Sequence, residues 1–329
     1  MDRIKMVDVS TFENDVYENI TGGVFDLDRF ELVRAGKDAS EEEICGLVGD
    51  AAIILTDPLH MQPVTRKIIE AADNLKLIQC YSIGFDDVDI EAARARGVPV
   101  ANAAGTLSKP VAEYTLAVAL YLLKSIEFAH SELNRGNWVQ QQMVSPPELP
   151  LEFGALTLGI LGCGSIGQEV ARLAKGFGTR IIYHNRSKLP DEVEGELGIE
   201  YSSFDDVLTF SDVLSINVPL TDETRGMIGA EEIARMKAGA VLINTARGEV
   251  VDYGALADAL KSGHLRGAAV DVFENEPDIG DCPLLGLRNV ILTPHSSALS
   301  PESPRRCMEK VAENLGLFYE GKPLLNVVN

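Results

Sequence analysis

The chain has 329 residues, 46% hydrophobic and 24% charged, the balance of a globular protein with room for two ordinary domains. Its 29 basic and 50 acidic side chains give a formal charge of −21, which argues against a nucleic-acid binder and against docking on anionic lipid. The opening MDRIKMVDVSTFEND lacks a secretory apolar core, later apolar runs are shorter than a membrane span, and five scattered cysteines without a CxxC fit a reduced, cytoplasmic chain with no metal.

In chain order, short apolar runs bounded by turn residues read as buried parallel strands: AAIILT (51–56), LKLIQCY (75–81), LTLGILG (156–162), TRIIYH (179–184), DVLSINV (212–218), GAVLINTA (239–246), GAAVDVF (267–273) and VILTPH (290–295). Amphipathic stretches between them read as helices, among them PVTRKIIEAA (63–72), GQEVARLAKGF (167–177), GAEEIARMKA (229–238) and YGALADALKSG (253–263). The alternation predicts an α/β fold with helices on both faces of parallel sheets. It falls into two blocks, roughly 1–103 and 156–295. Between them, Lys109 to about Arg135 reads as one long helix, apolar all round, packed between domains or against another subunit. The proline-rich GNWVQQQMVSPPELPLEFG (136–154) reads as an arm or linker. The stretch SPRRCMEKVAENLGLFYEGK (303–322) reads as a helix that leads to NVVN and returns to the first domain.

Gly162, Gly164 and Gly167 form a GxGxxG that follows the strand LTLGIL and opens a helix, the context a dinucleotide-binding turn needs. The first glycine permits the tight turn, the second lets the backbone approach a pyrophosphate, and the third packs helix against strand. Free amides at the helix start then hold the phosphates. The alternative is a set of ordinary turn glycines. Such a unit usually ends its second strand on an acid that accepts from the adenosine ribose; here the chain reads His184-Asn185-Arg186-Ser187. An acid would repel the 2′-phosphate of NADP, whereas Asn185, Arg186 and Ser187 offer it a cation and neutral donors. The site is expected to prefer NADP(H), with NAD(H) possible if Arg186 is only a solvated loop residue.

Three further residues stand just past strands: Arg247 in LINTARGEVVD, Glu276 in VDVFENEP and His295 in VILTPHSS. Ligands of an open α/β sheet bind beyond the carboxyl ends of its strands, so the three could converge in one cleft. Taken singly, Arg247 could cap a helix, Glu276 could be solvated and His295 could be a structural histidine. Together, in these places, they point to chemistry.

At these residues the chain resembles the D-isomer-specific 2-hydroxyacid dehydrogenases along nearly its whole length. The matching stretches are YSIGFDDVD, VAEYTLA, GILGCGSIGQEVA, NVPLTDETRGMI, MKAGAVLINTARGEVVD, GAAVDVFENEP, ILTPHSS and NVVN. The resemblance implies two doubly wound Rossmann-like domains, the nucleotide domain (104–296) inserted in a substrate domain (1–103 and 297–329). It implies an active site in the cleft and a homodimer formed through the long helix and arm. Carried over residue by residue, Arg247 would hold the substrate's carboxylate and carbonyl side. His295 would protonate the carbonyl oxygen, and Glu276 would hydrogen-bond His295 and favour its protonated form. The backbone amides of Ile83 and Gly84 would meet the carboxylate. Ser165 and Ile166 would lie at the pyrophosphate, Val218 and Pro219 beside the adenosine, and Thr245, Ala246, Asp271 and Ser297 around the nicotinamide end.

Departures narrow the reading. The sequence HNRS resembles that of the NADPH-preferring glyoxylate/hydroxypyruvate reductase branch. Where phosphoglycerate dehydrogenases carry an Arg before the substrate loop, this chain has Cys80 and Tyr81, although Lys109 could substitute. Formate dehydrogenases lack the Glu partner present here as Glu276, and phosphite dehydrogenases place a Lys where Ile83 stands. The expected activity is NADPH-dependent reduction of a small 2-oxo acid to a D-2-hydroxy acid, with Tyr81 and LTDPLHM (55–61) shaping the side-chain pocket. The alternatives are an NAD-linked dehydrogenase with the same triad and a nucleotide-regulated binding protein of corepressor type, which the same fold can host.

Overall fold

The computed structural model describes residues 3–13, 22–57 and 61–329. The chain forms two compact units, Met1–Leu107 with Ser300–Asn329, and Ser108–Leu299. Within LTDPLHM, residues 58–60 lie outside the described residues.

The first unit is built on five parallel strands, β1 (Ile4–Asp8), β2 (Phe30–Arg34), β3 (Ile53–Leu55), β4 (Leu77–Gln79) and β5 (Val100–Ala101), in the order β2-β1-β3-β4-β5. Parallel strands buried on both faces need apolar residues on both, and β3 is the run Ile-Ile-Leu, fully buried. One face packs Val7, Ile54 and Ile78 against α1 (Glu41–Val48), α2 (Arg66–Ala71) and α3 (Ile90–Ala95). The other face packs Met6, Ile53, Leu55 and Leu77 against Cys307, Met308, Val311 and Leu315 of the C-terminal helix, Ser303–Tyr319. Each such fully buried aliphatic side chain contributes about 1.5–3 kcal/mol.

The second unit carries seven parallel strands: β6 (Thr157–Leu161), β7 (Arg180–His184), β8 (Ile199–Tyr201), β9 (Val213–Ile216), β10 (Val241–Asn244), β11 (Gly267–Val270) and β12 (Val290–Leu292). Their order is β12-β11-β10-β9-β6-β7-β8, so the winding reverses between β6 and β9. This doubly wound arrangement is the α/β architecture that the alternation of runs predicts.

The long helix is the main correction. It is two helices, α4 (Ser108–Leu123) and α5 (Ile126–Asn134), broken at Ser125, whose φ is +50°. Arg266 accounts for the break: its guanidinium donates to the carbonyls of Leu122 (3.2 Å) and Leu123 (3.4 Å) and to Ser125 Oγ (2.8 Å), capping α4. One face of α4 packs within its own unit. Ala112, Leu116, Ala119 and Leu123 pack into the core with Leu158, Ile160 and Val241. The arm contains two short 3₁₀ turns, Gln142–Val144 and Phe153–Ala155.

Candidate nucleotide and active site

All seven strands of the second unit run the same way, so every strand end emerges on one edge. Register pairs align His184 with Leu161, Leu161 with Ile216, Ile216 with Asn244, Asn244 with Val270, and Val270 with Leu292. The last residues of six strands therefore form one row, about 4.8 Å apart. The residues singled out in the sequence follow directly in that row: Asn185–Ser187 after β7, the glycine turn after β6, Val218 and Pro219 after β9, Thr245–Arg247 after β10, Asp271 and Glu276 after β11, and His295 after β12.

The glycine turn sits at the switch point. Gly162 has φ +87°, and a Cβ there would lie 2.6 Å from the Asn217 carbonyl oxygen. At Gly167 a Cβ would lie 2.4 Å from the Gly162 carbonyl oxygen. A Cβ on Gly164, by contrast, would meet nothing within 4 Å. The outer glycines are thus fixed by protein packing, and the middle one faces open space at the start of α6 (Ser165–Ala174), beside exposed Ser165 and half-buried Ile166. That cradle suits a pyrophosphate at a helix N-terminus. Further along the row, Thr245 Oγ1 is buried without a hydrogen-bond partner among the described residues, as is Asn217 Oδ1. Buried polar atoms rarely stay unsatisfied, so these fit a nucleotide lying along the edge.

At the end of β7, the Asn185 side chain is turned towards the glycine loop: Cys163 N donates to Asn185 Oδ1 at 2.6 Å. The carboxamide oxygen is engaged there, and no described residue accepts from the NH₂. His184 Nδ1 bonds the Ser202 carbonyl at 3.0 Å, and its ring lies 5.9 Å from that of Tyr201. Arg186 and Ser187 are exposed.

At the other end of the row, His295 Nδ1 and Glu276 Oε2 are 2.7 Å apart. Glu276 Oε1 accepts from Phe273 N at 2.6 Å, which orients the carboxylate. Burial pushes the Glu276 carboxyl up, but the His295 hydrogen bond and charge, the Phe273 amide and the Arg247 charge together bring it below its ordinary value. A lowered carboxyl contributes stability above its unfolded value and loses it as pH falls through the folded one, so the carboxylate's contribution is lost in acid. With Nδ1 engaged by Glu276, Nε2 is the second ring nitrogen. The backbone at His295 is itself special, with φ +50°. Its amide donates to the Asp271 carbonyl at 2.7 Å.

Asp271 is fully buried and serves this loop. Its Oδ1 accepts from the Thr293 hydroxyl and from Ser296 N (2.8 Å), and its Oδ2 from Ser297 N (2.9 Å). Arg247 follows a turn that Asn244 ties: Nδ2 donates to the Arg247 carbonyl at 2.9 Å, and Oδ1 accepts from Ala246 N at 3.0 Å. Gly248 next to it is fixed by packing, since a Cβ there would lie 2.3 Å from the Phe273 carbonyl carbon. Arg247 is thereby held beside the loop that carries Glu276.

In the first unit, Tyr81–Gly84, expected from the sequence to meet the substrate, follow β4. Tyr81 is buried, and its hydroxyl donates to Asp8 Oδ2 at 2.6 Å. Half-buried Ile83 and Gly84 offer backbone amides that donate to no described residue.

Residues 116–297 match the model of the D-isomer specific 2-hydroxyacid dehydrogenase family, NAD binding domain. The chain belongs to this family. It is 42% identical over 278 residues to a glyoxylate reductase of Korarchaeum cryptofilum, covering 84% of this chain and 81% of that one. A glyoxylate reductase of Aeropyrum pernix is 43% identical over 264 residues, 80% and 78% of the two chains. Among solved structures, a glyoxylate reductase from Paecilomyes thermophila superposes with a TM-score of 0.85 at 31% identity, covering 100% of this chain and 99% of that one.

Some residues of this dehydrogenase that shape the site escape a motif reading. Asn244 lies inside LINTARGEVVD yet looks like an ordinary strand residue. Tyr253, whose hydroxyl accepts from Asn244 (3.0 Å) and donates to the Val272 carbonyl (2.7 Å), braces the Arg247 turn against the Glu276 loop. Tyr114, 2.6 Å from Thr293 Oγ1, extends the Asp271 network to α4. A polar residue inside or beside an apolar run is the signal that could have found each of them.

Proposed function

We propose that this dehydrogenase is a cytoplasmic reductase that converts small 2-oxo acids such as glyoxylate or hydroxypyruvate to D-2-hydroxy acids and prefers NADPH to NADH. The 2.7 Å His295–Glu276 pair carries the proposal: it is a proton donor with an oriented anionic partner, beside Arg247, at the far end of the row from the glycine turn. The nicotinamide, when bound, supplies the hydride for C2 of the substrate. The protein's part is to hold and to protonate. The Arg247 guanidinium offers a planar fork to the carboxylate and carbonyl side of the substrate. His295 gives the Nε2 proton to the carbonyl oxygen, and Glu276 stabilises the imidazolium before transfer and keeps the ring in one tautomer. Ile83 and Gly84 present amides to a carboxylate, and the first unit is the substrate domain. Gly162, Gly164, Ser165, Ile166, Gly167, Val218, Pro219, Thr245, Ala246 and Ser297 hold the nucleotide, whereas Asp271, expected among them, is fully buried and instead orders the loop Thr293–Ser297.

The NADPH preference rests on Asn185. Its oxygen accepts from Cys163 N, so the loop after β7 offers the Asn185 NH₂, the Arg186 guanidinium and the Ser187 hydroxyl as donors to a phosphate. Initial rates with glyoxylate and with hydroxypyruvate, NADPH beside NADH, test both statements. NADPH is expected to be favoured, and Arg186→Ala to raise the KM for NADPH about 10–100-fold while moving that for NADH less than about threefold. Equal use of both nucleotides by the wild type would remove the preference, and no turnover of either 2-oxo acid would remove the substrate assignment.

The enzyme is further read as a homodimer. Ile126 and Leu133 of α5 and Trp138, Val144 and Leu149 of the arm are exposed, Trp138 at 76%. An apolar set of this kind suits a protein partner, and a second copy is the partner proposed. Sedimentation equilibrium at micromolar concentration is expected to give twice the 35.6 kDa chain mass; a monomer there would rule out a stable dimer.

A further inference from the structure

We infer that Asn102, held by the segment Asn326–Asn329, is a positioning residue that aims the Ile83 and Gly84 amides at the substrate carboxylate. This rests on the reading of those two amides as the carboxylate donors. A trans peptide places the carbonyl of one residue opposite the N–H of the next. Ala103 N donates to the Ser82 carbonyl at 2.9 Å, and Asn102 Nδ2 donates to the Ile83 carbonyl at 2.7 Å. Both carbonyls are thus drawn towards the segment after β5, so the N–H groups of Ile83 and Gly84 point the other way. Neither donates to a described residue. Two adjacent, parallel-facing amides without acceptors form an anion-binding concavity, and its aim is set by the donors behind it.

Asn102 is itself immobilised. It is buried, at 4% exposure, and its Oδ1 accepts from Ala104 N at 3.2 Å. Its backbone is gripped by Asn326: Asn102 N donates to the Asn326 carbonyl at 3.1 Å, and Asn326 Nδ2 donates to the Asn102 carbonyl at 3.4 Å. Asn326 has φ +54°, a conformation asparagine tolerates better than most residues. The grip continues along the sheet edge. Val327 bridges Ala101 in antiparallel sense, Val328 N donates to the Val100 carbonyl at 2.9 Å, and the Asn329 side chain accepts from Val100 N and donates to the Val98 carbonyl, both at 2.8 Å. Upstream, fully buried Asn314 accepts from Leu325 N at 2.9 Å and donates to Gln79 Oε1 at 2.9 Å. NVVN therefore acts as a clamp on β5, and Asn102 transmits it to the substrate loop.

The test uses Asn102→Ala and Asn326→Gly in the whole 329-residue chain. Glycine at 326 keeps the backbone conformation and removes only the side-chain donor. Asn102→Ala is expected to raise the KM for glyoxylate about tenfold, with kcat changed less than about threefold and NADPH affinity unchanged; Asn326→Gly moves the KM the same way by about threefold. A purely structural role would lower the melting temperature and leave the KM alone. A wild-type KM in an Asn102→Ala enzyme that still binds NADPH overturns the inference; if that variant fails to bind NADPH, a wild-type KM in Asn326→Gly overturns it. Hydrogen exchange of Tyr81–Phe85 in the wild-type NADPH complex, with and without the unreactive analogue oxamate, separates the two readings. No slowing by oxamate overturns the amide–carboxylate reading itself. Slowing together with an unmoved KM overturns only the role of Asn102.

Discussion

Arg247→Ala is expected to lower kcat/KM for glyoxylate about 10³-fold or more while leaving NADPH affinity and the melting temperature close to wild type. Two charge-assisted hydrogen bonds from one rigid fork are lost at once, and no neighbouring cation stands in the LINTARGEVVD turn to replace them. The Ala variant keeps the Asn244 bonds to the Arg247 carbonyl and the Ala246 amide, and of the turn's own ties loses the one from Arg247 Nη1 to the Ala246 carbonyl (2.7 Å). Arg247→Lys restores the charge without the fork and should recover only a small part of the rate. Steady-state kinetics beside a fluorescence titration of NADPH decides the matter: activity near wild type in the alanine variant would end the assignment of Arg247 to the substrate.

The second large effect concerns the proton. His295→Ala is expected to slow reduction about 10²–10⁴-fold, since no other acid stands in VILTPHSS to deliver the proton. Glu276→Gln is milder, about tenfold, and its loss depends on pH. The sign follows from the Glu276 carboxyl, whose hydrogen bonds to His295 and Phe273 help to hold it below its ordinary value. Above that folded value the wild type has its carboxylate and the deficit of Glu276→Gln is fully present; as pH falls through it the wild-type carboxyl protonates and the deficit shrinks. Parallel reductive profiles for the two enzymes would remove Glu276 from the proton step and leave it an orienting role only.

The elements legible in the sequence are those that bury both faces. All of the apolar runs read as strands contain one, each shorter than its run because its flanking residues, several of them still buried, belong to the connecting turns. The four strands not read are informative. Ile4–Asp8 and Phe30–Arg34 carry charges within five residues, Val100–Ala101 has only two residues, and Ile199–Tyr201 is an edge strand with two exposed positions. None is a continuous apolar run, so hydrophobicity alone passes over them. The break at Ser125 escaped for a different reason. No glycine or proline marks it, and its cause, the Arg266 guanidinium, lies far along the chain. The candidate site was legible where chemistry and strand ends coincide, as at Gly162, Arg247, Glu276 and His295. It was not legible at Asn102 or Asn244, whose side chains bond backbone rather than ligand. Nor does sequence show that Asn185 turns its oxygen back to Cys163; that orientation is a property of the folded turn.

The interrupted course of the chain imposes an order of assembly on the first unit. Met6, Phe30, Ile53, Leu55 and Leu77 belong to residues made early, but the side chains that cover them, Cys307, Met308, Val311 and Leu315, come after the whole second unit. A nascent chain that has not yet reached Ser300 therefore holds a sheet with one bare apolar face and an unpaired edge at β5. The second unit is continuous in sequence and has no such wait. Closing so long a loop costs little more than closing a short one once the intervening unit has folded and drawn its own ends in. The half-made first unit is thus the species most exposed to aggregation during synthesis, and the last helix is the piece that ends the exposure.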